Sequence, residues 1–180
     1  MRERSDEALV AAWSDGSMAA FEALYARYRG PLYRYFLRLS GDAARANDLY
    51  QGCWEKVIRA RRRYRPTGPF RAWLFRIAHN HAMDGFRRAA PETELSDADA
   101  PSTQPDPVEH TAAAERTARL AAALDGLPPE QRDAMLLKLE GGLDLESIAH
   151  VTGVGRETAK SRLRYATARL KHALSGDSSE

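Results

Sequence analysis

The stretch D-L-E-S-I-A-H-V-T-G-V-G-R-E-T-A-K-S-R-L-R-Y-A-T-A-R-L-K, residues 144–171, predicts two short helices joined by a tight turn. Asp144 is placed to cap the first helix, whose backbone amides otherwise lack acceptors. Gly153 supplies the left-handed backbone that ends this helix, and the second helix begins after Gly155. The first helix has one apolar face at a spacing of three and four residues, formed by Leu145, Ile148 and Ala149.

The second helix separates an apolar face from a stripe of positive charge. Its predicted core face consists of Ala159, Leu163, Ala166 and Leu170. The stripe consists of Arg156, Lys160 and Arg164, at a spacing of four residues. A basic helix supported by a short partner helix is the arrangement of a helix-turn-helix that enters the DNA major groove. The alternative is a solvated basic face on an ordinary helical hairpin.

Charge is unevenly distributed along the 180 residues, although the net charge is only +2. Residues 1–90 carry 17 Lys and Arg against nine Asp and Glu, whereas residues 91–114 carry six acids and no Lys or Arg. Residues 115–180 have ten of each sign, with six bases and one acid between 156 and 172. Two basic bodies on either side of an acidic segment indicate a polyanionic partner for each body.

Composition excludes several classes of protein. The charged start of the chain does not resemble a secretory leader, and no apolar run approaches the ~20 residues that a membrane-spanning helix needs. The single cysteine, Cys53, rules out an internal disulfide framework and fits a reducing compartment. We therefore expect a cytoplasmic protein that is not an integral membrane protein.

Hydrophobic spacing predicts an all-α protein of two small helical domains. Five helices are expected in residues 5–90, with breaks at Asp15-Gly16, Gly30-Pro31, Ser40-Gly41 and Pro66–Pro69. Residues 91–111 are rich in Pro and acids and are predicted to form a flexible linker. The second domain spans 112–175 and ends in the helix-turn-helix.

Several motifs resemble those of bacterial RNA polymerase sigma factors. L-P-P-E-Q-R-D-A-M-L-L-K (127–138), E-S-I-A (146–149) and T-A-K-S-R-L-R-Y-A (158–166) resemble sigma region 4. A-F-E-A-L-Y-A-R-Y (20–28), D-L-Y-Q (48–51) and F-R-A-W-L-F-R-I-A-H-N (70–80) are similar to region 2. Two such domains on a short linker, without a middle domain, resemble the extracytoplasmic-function group. The resemblance implies a factor that binds core RNA polymerase and recognises the −10 and −35 elements of promoter DNA.

The resemblance assigns promoter opening to the fifth helix. The residues implied at the −10 element are Arg71, Arg76, His79, Asn80, Asp84, Arg87 and Arg88. Asn80 is the strongest candidate for reading a base, because its amide both donates and accepts, and Asp84 is expected to orient neighbouring basic groups. The loop 61–68 is expected to hold an unstacked base. For Phe70, Trp73 and Ile77 we favour core packing over DNA contact.

The resemblance also implies a −35 surface and a polymerase surface. The −35 residues are Arg156, Thr158, Lys160, Ser161 and Arg164. The core polymerase residues are Asp48, Leu49, Gln51, Trp54 and Val57. The sequence departs from the family here, because Asp48 is the only acid in residues 45–52. A weaker negative face is expected to reduce the electrostatic attraction to a basic polymerase surface.

Two other functions remain open at this stage. A free-standing helix-turn-helix regulator of duplex DNA explains residues 144–171 but leaves residues 70–88 without a role. A module held by a partner protein is the other, since sigma factors of this group are commonly bound by anti-sigma factors. No enzyme, cofactor or small-molecule substrate is expected. A metal site at His79, His81 and Asp84 is disfavoured, because His79 and His81 are two residues apart on a helix and point to different sides.

Overall fold

The computed structural model describes residues 4–65, 67–90 and 112–175, so the predicted linker at 91–111 lies outside the described residues. Within those ranges the chain forms α-helices and one 3-10 turn, Arg61–Arg63, in agreement with the all-α prediction. The helices are α1 (Asp6–Ser14), α2 (Met18–Ser40), α3 (Ala43–Ala60), α4 (Phe70–Ala89), α5 (Ala112–Asp125), α6 (Pro129–Leu139), α7 (Leu145–Thr152) and α8 (Arg156–Ser175).

Helices α1–α4 form an N-terminal body in which the first three helices begin with side-chain caps. The side chains of Ser5, Ser17 and Asp42 each accept a hydrogen bond from a backbone amide in the first turn of α1, α2 and α3. These caps satisfy amides that have no partner within the helix. Gly41 ends α2 in the left-handed conformation, with φ of 68°.

The expected break at Gly30-Pro31 is wrong, because α2 runs unbroken through Pro31 for 23 residues. Proline removes one backbone donor and normally kinks or ends a helix. Here the buried side chains on both sides of Pro31 continue along one face of α2, and α1 and α3 pack against that helix. Tertiary burial therefore outweighs the local cost. The buried residues are Ala20, Leu24, Leu32, Tyr35 and Phe36.

An aromatic cluster fills the centre of the N-terminal body. Phe21 packs edge-on against Trp54 with ring centroids 6.0 Å apart, and Tyr25 lies 5.0 Å from the same indole.

Cys53 is fully buried in α3, and this burial raises the pKa of its thiol to about 12. A thiol in that state is a small hydrophobic core residue and not a reactive one.

Helices α5–α8 form a C-terminal body around α8. Its buried residues include Leu136 and Leu137 of α6, Ile148 of α7 and Ala166 of α8. Pro129 occupies the first turn of α6, where its missing donor costs nothing.

The two bodies pack against each other, with α6 and α5 on α2, and α7 on α4. Their buried side chains form one continuous hydrophobic cluster. They approach closely at the turn between α6 and α7, where a Cβ on Gly141 would lie 3.2 Å from Cγ of Phe75. The sequence predicted two bodies but gave no sign that they would share an interface.

Gly52 marks the close crossing of α3 and α4. A Cβ at this position would lie 2.6 Å from Nε2 of His81, which is closer than van der Waals contact allows. Burial and the nearby Lys56 lower the pKa of His81, so the neutral imidazole is favoured in the folded protein. Gly52 belongs to residues 45–52, in which Asp48 is the only acid. Because glycine has no side chain, the ring of His81 can pack against α3 at this position.

We expect Gly52→Ala to have a more favourable effect on the free energy of unfolding in a His81→Ala background than in the native chain. The two effects should differ by about 1 kcal/mol or more. In the native chain the new methyl group displaces the imidazole, whereas without the ring only the helix propensity of alanine, ~1 kcal/mol, remains. Urea unfolding of the four chains measures this coupling. Equal effects of Gly52→Ala in both backgrounds would contradict the close contact.

Candidate nucleic-acid interface

The helix-turn-helix forms with the predicted geometry. The carboxylate of Asp144 accepts a hydrogen bond from the backbone amide of Ser147 at 2.8 Å, and this bond lowers the pKa of Asp144. Gly153 ends α7 in the left-handed conformation, with φ of 69°. The α8 residues Ala159, Ala166 and Leu170 are buried against α6 and α7, and Leu163 is partly buried. The packing therefore holds α8 at a fixed angle on the C-terminal body.

The opposite side of α8 is exposed and strongly basic. Arg156, Lys160 and Arg164 lie exposed along it, together with Thr158, whereas Ser161 is half-buried. Lys160 and Arg164 also line an open cleft of about 530 Å³ that includes Lys138 and Lys171. The five −35 candidates thus lie together at the start of α8, and four of them are accessible to a duplex.

Helix α4 presents a second exposed row, on the N-terminal body. Asn80 and Arg87 are exposed and Asp84 is half-buried, at positions that follow one side of the helix. The carboxylate of Asp84 is paired with the guanidinium of Arg87, one turn away. Asp84 therefore orients a basic group, and Arg88 lies exposed beside this row.

The remaining −10 candidates lie near the C-terminal body. His79 is buried, with Nδ1 2.9 Å from Oδ2 of Asp133 in α6, although this contact lacks the geometry of a hydrogen bond. Arg76 is exposed, and its Nη1 lies 3.2 Å from Nε2 of His150 in α7. Arg71 is also exposed and lies beside the α6–α7 turn, where a Cβ on Gly142 would be 3.6 Å from its guanidinium. Of the seven candidates, His79 is therefore the one that the C-terminal body buries.

The loop before α4 borders a cavity of about 510 Å³ between the two bodies. Tyr64, Arg65 and Trp73 line it on one side, and Asp144, Glu146 and His150 of the C-terminal body line it on the other. Tyr64 and Trp73 pack edge-on with ring centroids 5.2 Å apart, which supplies an aromatic wall suited to a nucleobase. Position 66 of the predicted base-binding loop lies outside the described residues.

The five polymerase candidates on α3 do not share one surface. Leu49, Trp54 and Val57 are buried in the N-terminal body, and only Asp48 and Gln51 are exposed. Glu55 and Ile58 are also exposed and continue the line of Asp48 and Gln51 at helical spacing. The sequence-based choice followed a motif and did not consider these two residues, which the helical period of the exposed side brings into line with Asp48 and Gln51.

Sequence reasoning also missed the groups that join the two bodies. Tyr35 and Asp133 are both buried, and the Tyr35 hydroxyl donates a 2.8 Å hydrogen bond to Oδ1 of Asp133. Burial and this carboxylate raise the pKa of Tyr35 well above its usual range. An acid immediately before the apolar run A-M-L-L (134–137) of α6 was the only available signal, and it did not identify the partner.

The described residues contain no group of three or more His, Cys, Asp or Glu side chains arranged to hold a metal ion. His79 contacts α6, whereas His81 lies against Gly52 on α3, so the two imidazoles do not converge. None of the helices in the described ranges combines the length and the apolar character needed to cross a membrane.

Comparison with known families matches both bodies. The family model for Sigma-70 region 2 matches residues 24–92, and the model for Sigma-70 region 4 matches residues 123–172. The chain is 35% identical over 187 residues to the ECF RNA polymerase sigma factor SigE of Mycolicibacterium smegmatis, covering 99% of this chain and 72% of that protein. It is 36% identical over 162 residues to the ECF sigma factor SigL of Mycobacterium tuberculosis, covering 87% and 89%.

Solved structures show a similar fold. CnrH in complex with the cytosolic domain of CnrY superimposes with a TM-score of 0.68 at 26% identity, covering 97% of this chain and 100% of that chain. The sigma factor RpoE in complex with the anti-sigma factor NepR from Bartonella quintana has a TM-score of 0.65 at 23% identity, covering 87% and 98%. The second similarity concerns the fold alone.

We expect Asp144→Ala to destabilise the protein by about 1 kcal/mol, because the amide of Ser147 loses its acceptor at the start of α7. Asp144→Asn is the matched control, since asparagine caps helices about as well as aspartate. Guanidinium unfolding at pH 7 measures both variants. An alanine variant as stable as the asparagine variant would show that this cap does not support the helix-turn-helix.

Proposed function

The chain belongs to the extracytoplasmic-function RNA polymerase sigma factors, and we propose that it engages promoter DNA through two separate faces, on α4 and on α8. It is a promoter-directing sigma factor that acts with core RNA polymerase in transcription initiation. The match to region 2 accounts for the N-terminal body, which a free-standing helix-turn-helix regulator leaves unexplained. The exposed basic stripe on α8 is the observation that supports the assignment of DNA contacts most directly.

The α8 face is proposed to dock on the −35 element as duplex DNA. Arg156, Lys160 and Arg164 are exposed on a helix that α6 and α7 hold in place. Arginine and lysine pair with guanine edges in the major groove or neutralise phosphates. Thr158 and Ser161 add hydroxyl groups for bases or phosphates. The docking requires no rearrangement within the C-terminal body, because these side chains are already accessible.

The α4 face is proposed to capture the melted −10 element. Asn80 offers a donor and an acceptor to the edge of an unpaired base. Arg87 and Arg88 are proposed to contact the phosphates of the same DNA strand. Asp84 holds Arg87 in place. Arg71 and Arg76 are exposed on the same helix and add positive charge to this face, whereas His79 is buried against α6. Trp73 and Tyr64 supply an aromatic wall for a base that leaves the stack.

The exposed line on α3 is proposed as the surface for core polymerase. Asp48, Gln51, Glu55 and Ile58 form this line, and Leu49, Trp54 and Val57 support it from within the core. Ile58 is 43% exposed, which gives the polar line one apolar contact at its end. Glu55 adds a second acid to this line, one turn beyond residues 45–52, where Asp48 is the only acid.

The remaining proposals concern partners and location. CnrH and RpoE are each described in complex with a partner protein, and for RpoE that partner is called an anti-sigma factor. An anti-sigma factor is proposed for this chain by analogy with them. Because core polymerase and promoter DNA are its working partners, the protein is proposed to act in the cytoplasm. Sigma factors are non-catalytic initiation factors, and we propose no catalytic activity here.

We expect Asn80→Ala to reduce promoter opening while leaving −35 docking intact, and Lys160→Ala to do the reverse. Each replacement removes a polar contact worth about 1–3 kcal/mol at one element only. The measurements are run-off transcription with core polymerase and permanganate reactivity of the −10 thymines, on a promoter selected from a genomic library. Failure of the native chain to initiate with core polymerase would overturn the assignment of these contacts.

We expect Glu55→Arg to weaken binding to core polymerase in a salt-dependent manner, because a rim charge on α3 is reversed. Glu115→Arg on the exposed side of α5 is the matched control for the charge change. Leu49→Ala should instead lower the stability of the fold by about 2–5 kcal/mol. Titration of labelled chain with core polymerase at two salt concentrations distinguishes the three. Equal affinities for Glu55→Arg and Glu115→Arg would remove α3 from the interface.

A further inference from the structure

Another cavity lies between the two bodies, with a volume of about 540 Å³. We call it the Met83 cavity, after the methionine of α4 that lines it. Its other lining residues come from α2, α3, α6, α7, the turn before α8, and α8 itself. Sites for small molecules usually have volumes of ~300–1,000 Å³. The Met83 cavity therefore has the size of a small-molecule site.

One part of the lining is apolar. Its members are partly buried side chains that pack on the hydrophobic core: Leu39, Met83, Phe86 and Val154. Apolar surface that remains accessible to water favours contact with an apolar group of a ligand. Methionine is unbranched and polarisable, so Met83 can adapt to ligands of different shape. This part of the cavity is suited to the apolar body of a small molecule.

The polar part of the lining carries more positive than negative groups. Its guanidinium groups belong to Arg45, Arg132 and Arg162, and its carboxylates to Glu130 and Asp133. The guanidinium of Arg45 lies over the ring of Phe86, 5.9 Å from the ring centroid, so the polar and apolar parts meet there. Among the described residues, neither Arg45 nor Arg162 has an acidic side chain within ion-pair distance.

The neighbouring contacts leave this positive charge without a counter-ion. Asp133 is buried and accepts a hydrogen bond from the Tyr35 hydroxyl. Arg132 donates to the backbone carbonyls of Leu124 and Leu127, each at 3.1 Å, so the recorded partners of its guanidinium are neutral. Glu130 is the exposed acid of the lining. An anionic group of a ligand would therefore meet net positive charge.

The start of α6 adds to the attraction for an anion. Pro129 and Glu130 lie in the first turn of this helix and line the cavity. The helix has no side-chain cap, and the amino end of a helix dipole favours negative charge. His79 lines the cavity as well, and its buried Nδ1 makes no hydrogen bond with the described residues. Buried polar atoms usually have a partner, so both features favour a ligand that brings acceptor oxygens.

We propose that the Met83 cavity binds a small amphipathic carboxylic acid. The apolar body of the acid lies against Met83 and Phe86, and its carboxylate faces Arg45, Arg162 and the start of α6. Arginine is the side chain best suited to a carboxylate, because its planar group can donate two parallel hydrogen bonds. The lining comes from both bodies, so the bound acid stabilises their packed arrangement by mass action. The proposal goes beyond the proposed function and does not depend on it.

Binding is measured by calorimetric titration of the full chain, without polymerase or DNA. The probes are naphthoate, decanoate and naphthamide, which has the rings of naphthoate but no charge. We expect saturable binding of both acids and about tenfold weaker binding of naphthamide, because it lacks the charge-assisted contacts. No saturable binding of either acid below ~1 mM would overturn the proposal. Equal affinities for naphthoate and naphthamide would overturn the assignment of an anionic ligand.

Three charge variants test the polar part of the lining. Arg45→Gln and Arg162→Gln should each weaken naphthoate binding by about five- to tenfold, whereas Glu130→Gln should tighten it. The matched controls are at exposed positions outside the cavity on α3, α8 and α5: Arg59→Gln, Arg169→Gln and Glu115→Gln. Urea unfolding of each chain without ligand shows whether it remains folded. Equal effects of the cavity variants and their controls would overturn the site.

The location is tested by photo-cross-linking with benzoylbenzoate, an amphipathic carboxylate whose excited ketone inserts into nearby C–H bonds and favours methionine. We expect an adduct on Met83 that excess naphthoate prevents. Met18 is the internal control, because it is 60% exposed and does not line the cavity. Labelling of Met18 should not respond to naphthoate. Labelling of Met83 that naphthoate leaves unchanged would overturn the site.

The proposed function is tested separately, by core-dependent run-off transcription of the native chain without added acid. A chain that initiates transcription but binds neither acid refutes only the ligand site. A chain that binds the acids at Met83 but never initiates refutes only the proposed function.

Discussion

The buried carboxylate of Asp133 is the polar centre of the contact between the two halves of this protein, whose apolar side chains pack around it as one cluster. It lies on α6 of region 4, yet the hydroxyl of Tyr35 and the imidazole of His79 that contact it both belong to region 2. Burying a carboxylate is tolerable only where polar groups replace its water. The buried state of this carboxylate therefore depends on groups from both halves.

Helix α4 has two sides with different surroundings. Asn80, Asp84 and Arg87 lie on a side that solvent reaches. Phe75 and His79 lie on the other side, against region 4. The same helix thus carries the groups proposed to contact DNA and part of the contact between the two bodies. Region 4 is arranged similarly, since α7 packs on region 2 while the basic stripe on α8 is exposed.

Local sequence signals predicted the helices and the helix-turn-helix well, because caps and periodic faces are determined by neighbouring residues. Asp144, Gly153 and the apolar face of α8 are examples of such local control. Pro31 was misjudged because burial on both sides of it keeps α2 continuous. Long-range contacts were beyond this reasoning: nothing near Asp133 in the chain points to Tyr35, which lies 98 residues away. Motif matching likewise chose buried residues on α3, because a motif records residue identity and not which side of the helix is exposed.

The central claim is that α4 and α8 form two separate DNA faces of a promoter-directing sigma factor. Permanganate reactivity at −10 and footprinting at −35, measured on the same core-dependent complexes for the native chain, Asn80→Ala and Lys160→Ala, test it most directly. The account predicts that Asn80→Ala loses reactivity at −10 with the −35 footprint intact, and that Lys160→Ala loses the footprint. Equal loss of both signals in the two variants would contradict the account.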